Sequence, residues 1–206
     1  MQNSKAAVAW KLRTRTLDLT RPRIMGIVNV TPDSFSDGGE HATTEAAVAW
    51  GRKLAADGAD IIDIGGESTR PGAADVSLEE ELARVIPVVK TLAREGLIVS
   101  VDTSKPEVMR EAAAAGAEIL NDIRGFREAG APQAAAQSGC GLIVMHMQGT
   151  PRTMQKAPSY TDLIGEVTDF LLSQEKVLLA AGADPAAVMF LSLIHISEPT
   201  RHSLIS

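Results

Sequence analysis

Two stretches of this chain carry residue types from which an active site can be built. "NVTPDSFSDGG" (29–39) brings together Asn29, carboxylates at Asp33 and Asp37, and paired glycines. It is longer than a tight strand-to-helix connection requires. It therefore reads either as a surface loop with a Ser/Asp turn or as a lid carrying those groups toward a site. "GGESTRPGA" (65–73) adds two glycines that permit close backbone approach, hydroxyls at Ser68 and Thr69, and Arg70. The planar guanidinium of Arg70 matches phosphate oxygens in pairs. Either loop alone is weak evidence, but two in succession point to a phosphorylated substrate. Asn29, Asp63, Asp102, Asn121 and His146 each stand at or near the end of an apolar run.

The elements that must position these groups are short and regular. "RIMGIVNV" (23–30), "ADIIDIGG" (59–66), "LIVSVDT" (97–103), "AEILNDI" (117–123), "GLIVMHM" (141–147) and "AVMFL" (187–191) are nearly continuous in Val, Ile and Leu. That pattern marks strands buried on both faces. Helical spacing fills 43–58, 77–96, 106–116 and 160–182. The second opens with a capping box from Ser77 to Glu80, the third has Pro106 at its first turn, and glycine follows each. Alternating strands and helices imply βαβ units and a parallel sheet. A doubly wound sheet would show a glycine-rich phosphate fingerprint after its first strand, and none is there. Polar residues at the ends of five successive strands instead fit a (β/α)8 TIM barrel, whose site lies at that face. About five and a half βα units are present, so the barrel is incomplete. The alternating "VAWKLRTRTLDLTRP" (8–22) reads as a hairpin plugging the barrel floor, with its arginines on a solvated face.

The net charge of −6 argues against a general nucleic-acid or membrane-surface binder. No apolar segment approaches the length of a membrane span, and a single cysteine, Cys140, excludes an internal disulfide framework. The expectation is a cytoplasmic protein with Cys140 as an inert, partly buried thiol.

Taken in order, "IMGIVNVTPDSFSDGG", "DIIDIGGESTRPGA", "SVDTSKPEV", "EILNDIRGF" and "VMHMQGTPRTMQ" closely resemble the dihydropteroate synthases of folate biosynthesis. The resemblance runs from about Arg23 to Phe190. It implies condensation of 6-hydroxymethyl-7,8-dihydropterin diphosphate with p-aminobenzoate, giving 7,8-dihydropteroate and diphosphate without a covalent enzyme intermediate. By motif, Asn29 resembles the Mg2+-site residue, Thr69 the diphosphate ligand with Arg70 beside it, and Asp102 and Asn121 the pair that reads the pterin edge. Asp63 resembles a supporting residue of the same site, and Met145 one that packs beside the pterin. Phe35 and Pro71 resemble lid residues walling the p-aminobenzoate pocket, and Asp33 a lid carboxylate organising the closed state. Lid closure would exclude water from the activated carbon. His146 reads as structural and His41 as a surface residue, because the chemistry has no evident need for an imidazole. A pterin-dependent methyltransferase barrel and a non-catalytic pterin-binding remnant are the competing functional readings.

The resemblance stops after Phe190. The family continues with a "DPG" segment, a lysine, and a late arginine and histidine, none of which has a counterpart here. "LSLIHISEPTRHSLIS" (191–206) instead resembles the translation of a sequencing adapter. Residues 1–190 therefore read as the N-terminal two-thirds of a pterin-binding barrel, and 191–206 as a non-native tail. The consequence expected is an open sheet with bare apolar faces, poor folding and no synthase turnover. Family homodimers are built from late helices that this chain lacks, which puts dimerisation in doubt.

Overall fold

The structure is a computed structural model describing residues 8–31, 39–67, 76–149 and 159–192. A hairpin of β1 (Ala9–Lys11) and β2 (Thr16–Asp18) precedes six strands: β3 (Met25–Asn29), β4 (Ile61–Gly65), β5 (Ile98–Asp102), β6 (Ile119–Asp122), β7 (Gly141–His146) and β8 (Val188–Ser192). Between them lie α1 (Gly39–Ala56), α2 (Leu78–Arg94), α3 (Pro106–Ala115), α4 (Ala131–Ser138) and α5 (Leu163–Ala180). The six strands are parallel and lie side by side in chain order, β3-β4-β5-β6-β7-β8. That unbroken order is the progression of a (β/α)8 barrel and not the reversal of a doubly wound sheet. Among the described residues β3 and β8 are the two free edges, so the barrel is open.

Alternation along each strand divides the molecule into two apolar layers. Val28, Ile62, Ile64, Val99, Val101, Leu120, Leu142 and Val144 face outward and pack with helix residues such as Val85, Val89, Leu92 and Met109. Ile61, Ile119 and Ile143 face inward, where Trp10, Leu12 and Leu17 of the hairpin cover them. The hairpin is thus the floor plug that its alternation predicts. Trp10 is buried and its indole Nε1 donates to Ala187 O at 2.7 Å, so the largest side chain of the floor leaves no polar group unpaired. Gly141 makes room for this plug, since a Cβ there would stand 2.8 Å from Leu12. Arg21 is exposed as expected, and with Arg23, which is mostly covered, it holds the Asp60 carboxylate, at 2.5 and 2.9 Å.

Three details depart from the sequence reading. α1 begins at Gly39, inside the polar stretch and four residues ahead of the expected start. α4 has only eight residues, flanked by left-handed Gly130 and Gly139, too short and alanine-rich to show a period. Half of the capping box forms: Glu80 N donates to Ser77 Oγ at 3.2 Å, while the Glu80 carboxylate turns to Arg84 at 2.6 Å. Bare apolar residues appear at the open edges and on α5, including Ile27, Phe190, Ile164 and Leu172.

Candidate active site

The strand register brings the predicted groups into layers at the C-terminal face. Asn29 pairs with Gly65, Gly65 with Asp102, and Asp102 with Asn121, so these four stand abreast across β3 to β6. Gly65 is a gap in that row. The point where its Cβ would stand lies 3.6 Å from Asn29 Oδ1 and 4.0 Å from Asp102 Oδ2. One layer deeper, Asp63 pairs with Ser100. Asn121 spans the two layers, because its Nδ2 donates to Asp63 Oδ2 at 3.1 Å.

The cluster grades from exposed Asn29 through half-buried Asp102 to buried Asp63, Ser100 and Asn121. Asp63 Oδ1, Ser100 Oγ and Asn121 Oδ1 are all inaccessible and have no hydrogen-bond partner among the described residues. Such atoms cost free energy unless something else pairs with them. Burial raises the Asp63 carboxyl above its ordinary range, opposed by Asn121 and by a Ser100 hydroxyl lying near it but out of hydrogen-bonding geometry. Burial also lifts Asp102 well above the usual range, aided by the like charges of Asp63, Asp122, Glu81 and Glu67. Asp122 faces the other side of β6 and is raised to about 6 by burial, against its hydrogen bonds. It accepts from Ser104 Oγ (2.5 Å), Arg124 N (2.8 Å) and Phe126 N (2.8 Å), so it organises the turn after β6.

The bases of the neighbouring loops are clamped. Arg84 donates to Gly66 O at 3.0 Å, and a Cβ on Gly66 would meet Val85 at 2.7 Å, which fixes the backbone after β4 against α2. Lys105 sits between Glu67 at 2.8 Å and the buried Glu81, which also accepts from Thr103 Oγ1 at 2.5 Å. Burial alone would lower the Lys105 ammonium, but the two carboxylates outweigh it and raise it. Gln148 closes the segment after β7 by pairing with both backbone groups of Ser159, at 2.7 and 3.0 Å.

Met145 faces inward and packs with Ile123, Met147 and Leu191 at the mouth. His146 faces outward, edge-on to Phe170 at 5.2 Å and tilted against Tyr160 at 6.1 Å. Burial, followed by Arg127, lowers its imidazole below the ordinary range. The buried Cys140 thiol is pushed up to about 11 by burial. Asp33, Phe35, Thr69, Arg70 and Pro71 lie outside the described residues, as does the His41 side chain. Among the described residues no three His, Cys, Asp or Glu side chains converge into a metal cage. An amide oxygen at a strand end, as in Asn29, does suit Mg2+, which takes one or two protein oxygens and completes its shell with water and phosphate.

The model of the pterin binding enzyme family matches residues 25–205. The chain belongs to that family. Among its pterin-binding relatives, the dihydropteroate synthase of Escherichia coli K12 is 57% identical over 160 residues, covering 77% of this chain and 57% of that protein. The Neisseria meningitidis serogroup B synthase is 45% identical over 183 residues, covering 87% of this chain and 64% of that one. Two solved structures superpose closely. The Xanthomonas albilineans synthase with 4-aminobenzoic acid gives a TM-score of 0.82 at 50% identity, covering 90% of this chain and 66% of that one. The Burkholderia cenocepacia synthase complexed with 7,8-dihydropteroate gives 0.78 at 43%, covering 88% and 62%. This member of the family therefore spans between about half and two thirds of its relatives' length.

Ser100, Glu67, Glu81 and Lys105 are positioned residues that the sequence reading missed. Ser100 had a signal: it lies two residues before Asp102 in an apolar strand, hence on the same face.

Proposed function

We propose that this chain carries the pterin site of a dihydropteroate synthase. One observation carries the reading: a row of acceptors, exposed Asn29, half-buried Asp102 and buried Asn121, surrounds the gap above Gly65, with Asn121 Oδ1 unpaired among the described residues. A pterin presents adjacent N–H groups along one edge of a flat ring, which supplies the donors this row lacks. Asp102 and Asn121 would read that edge, Asp63 would support them from below, and Met145 would pack against the ring. Asn29 would hold Mg2+, whose role is to neutralise charge on the diphosphate as it leaves. Thr69 and Arg70 are assigned to the diphosphate, Asp33 to the closed lid, and Phe35 and Pro71 to the p-aminobenzoate wall. The amine of p-aminobenzoate then displaces diphosphate from the exocyclic carbon. The work of the protein is orientation and exclusion of water.

The cytoplasm is the proposed location, in keeping with the absence, among the described residues, of any helix long and apolar enough to cross a membrane. Residues 191–206 are proposed to be a non-native tail, although β8 continues to Ser192 and the family match runs on to residue 205. Since the chain covers 57% of the Escherichia coli relative, binding of the pterin without turnover is the expected behaviour of this polypeptide. The test incubates the chain, and the gene read on past the Phe190 codon, with the pterin diphosphate, p-aminobenzoate and Mg2+. Dihydropteroate is expected from the longer product alone. No product from the longer protein, together with no pterin binding by this chain, overturns the reading.

A further inference from the structure

The Asn121 carboxamide has two unlike ends, and only one can face a ligand in the barrel mouth. Its Nδ2 is committed to Asp63 Oδ2 at 3.1 Å, a contact between two buried side chains 58 residues apart in sequence. Its Oδ1 is buried and unpartnered. The amide could rotate by half a turn without changing shape. What opposes this is the chemistry of Asp63: while ionised, its carboxylate accepts hydrogen bonds and donates none, so it pairs with the amide's N–H2 and not with its oxygen. Two oxygens facing one another would repel.

We infer that Asp63 is a positioning and specificity-determining residue, which fixes the Asn121 amide with its oxygen toward the ligand and so selects rings whose edge carries N–H donors. Asp63 acts through Asn121 and does not itself contact the ring. Ser100 stands in register with Asp63 on the neighbouring strand. The inference rests on the pterin reading of the site, and its test separates the two.

The experiment is calorimetric titration of the chain with pterin and with pteridin-4(3H)-one, in which a hydrogen on carbon replaces the 2-amino donor and the rest of the edge is kept. The unmodified chain is expected to prefer pterin by about tenfold or more, the discrimination of one made against one missing buried hydrogen bond. Asp63→Asn keeps the shape but lets either end of the Asn121 amide face it. The expected result is weaker pterin binding, unchanged pteridin-4(3H)-one binding, and a preference cut to about threefold or less. An equal loss for both ligands overturns the inference, because Asp63 would then contact the ring or merely hold the fold. Absence of pterin binding by the unmodified chain refutes the site reading itself, and the inference falls with it.

Asn121→Asp provides a second variant should Asp63→Asn lose the native circular dichroism. The proton shared between two facing carboxyls leaves acceptors toward the ligand, so the pterin preference is expected to survive. Its loss in Asn121→Asp would show that the amide nitrogen faces the ring.

Discussion

The two ends of the same six strands are built on opposite principles. At the floor, Ile61, Ile119 and Ile143 are sealed by Trp10, Leu12 and Leu17, and the buried donor Trp10 Nε1 finds Ala187 O. At the mouth, two residues further along the strands, Asp63, Ser100 and Asn121 keep buried polar atoms unpaired and Asp102 sits among four other carboxyl groups. The floor is arranged for stability. The mouth carries a free-energy cost, and an N–H donor on a ligand would relieve the part of it that falls on Asn121 Oδ1. A ring of clamps lies between the chemistry and the helices, in Lys105, Arg84, Asp122 and Gln148.

Substitutions at the two ends should therefore diverge. The largest effect is expected from Trp10→Ala, which opens a cavity under the sheet and orphans Ala187 O. Chemical denaturation should show a loss of about 3–5 kcal/mol. Lys105→Met comes next, leaving Glu81 buried with Thr103 as its remaining side-chain partner among the described residues. A loss of about 3 kcal/mol is expected, read from the same denaturation curves, and Glu81→Gln in the Lys105→Met background should recover part of it. Asp102→Asn should do the reverse of both. Removing a buried carboxyl from among like charges raises stability by about 1 kcal/mol, while pterin affinity falls by about ten- to a hundredfold. A destabilised Asp102→Asn protein would erase the contrast between floor and mouth.

The pH dependence sharpens the same contrast. Asp122 is raised to about 6 from an ordinary 3.8, so the folded state holds this proton more tightly than the unfolded chain. Its contribution is fully present below about 4 and is lost as pH rises through about 6. Asp63 and Asp102, also raised, act in the same direction. Thermal unfolding should therefore show stability increasing as pH falls from about 6 toward 4, and Asp122→Asn should flatten that slope. The smallest change in stability is expected from Gly65→Ala, whose added Cβ meets Asn29 Oδ1 at an ordinary 3.6 Å. The midpoint should move by about 0.5 kcal/mol or less, while pterin affinity drops because the methyl occupies the gap in the row.

Much of this was legible in the sequence because the signals are local. Runs such as "ADIIDIGG" and "LIVSVDT" announce strands buried on both faces, and the glycines that end the helices are where expected, with Gly58, Gly96, Gly116 and Gly182 at positive φ. Their position at the ends of apolar runs placed Asp63, Asp102 and Asn121 at the mouth, and the alternation from Val8 to Pro22 exposed the hairpin. What was not legible depends on contacts between distant segments. Lys105 meets Glu67 and Glu81 across 38 and 24 residues, and nothing in "DTSKP" names those partners. The depth of Asp63, one layer below Asp102, follows from strand register, which spacing within a single strand cannot give. α4 escaped notice because an eight-residue alanine-rich helix has almost no amphipathic pattern.

The most direct test of a pterin site at this mouth is calorimetric titration with 6-hydroxymethylpterin diphosphate and Mg2+, comparing the chain with its Asp102→Asn variant. Saturable one-to-one binding, lost or strongly weakened in a variant that unfolds at an equal or higher temperature, is the predicted result. No binding by the unmodified chain, or equal binding by both proteins, would contradict it.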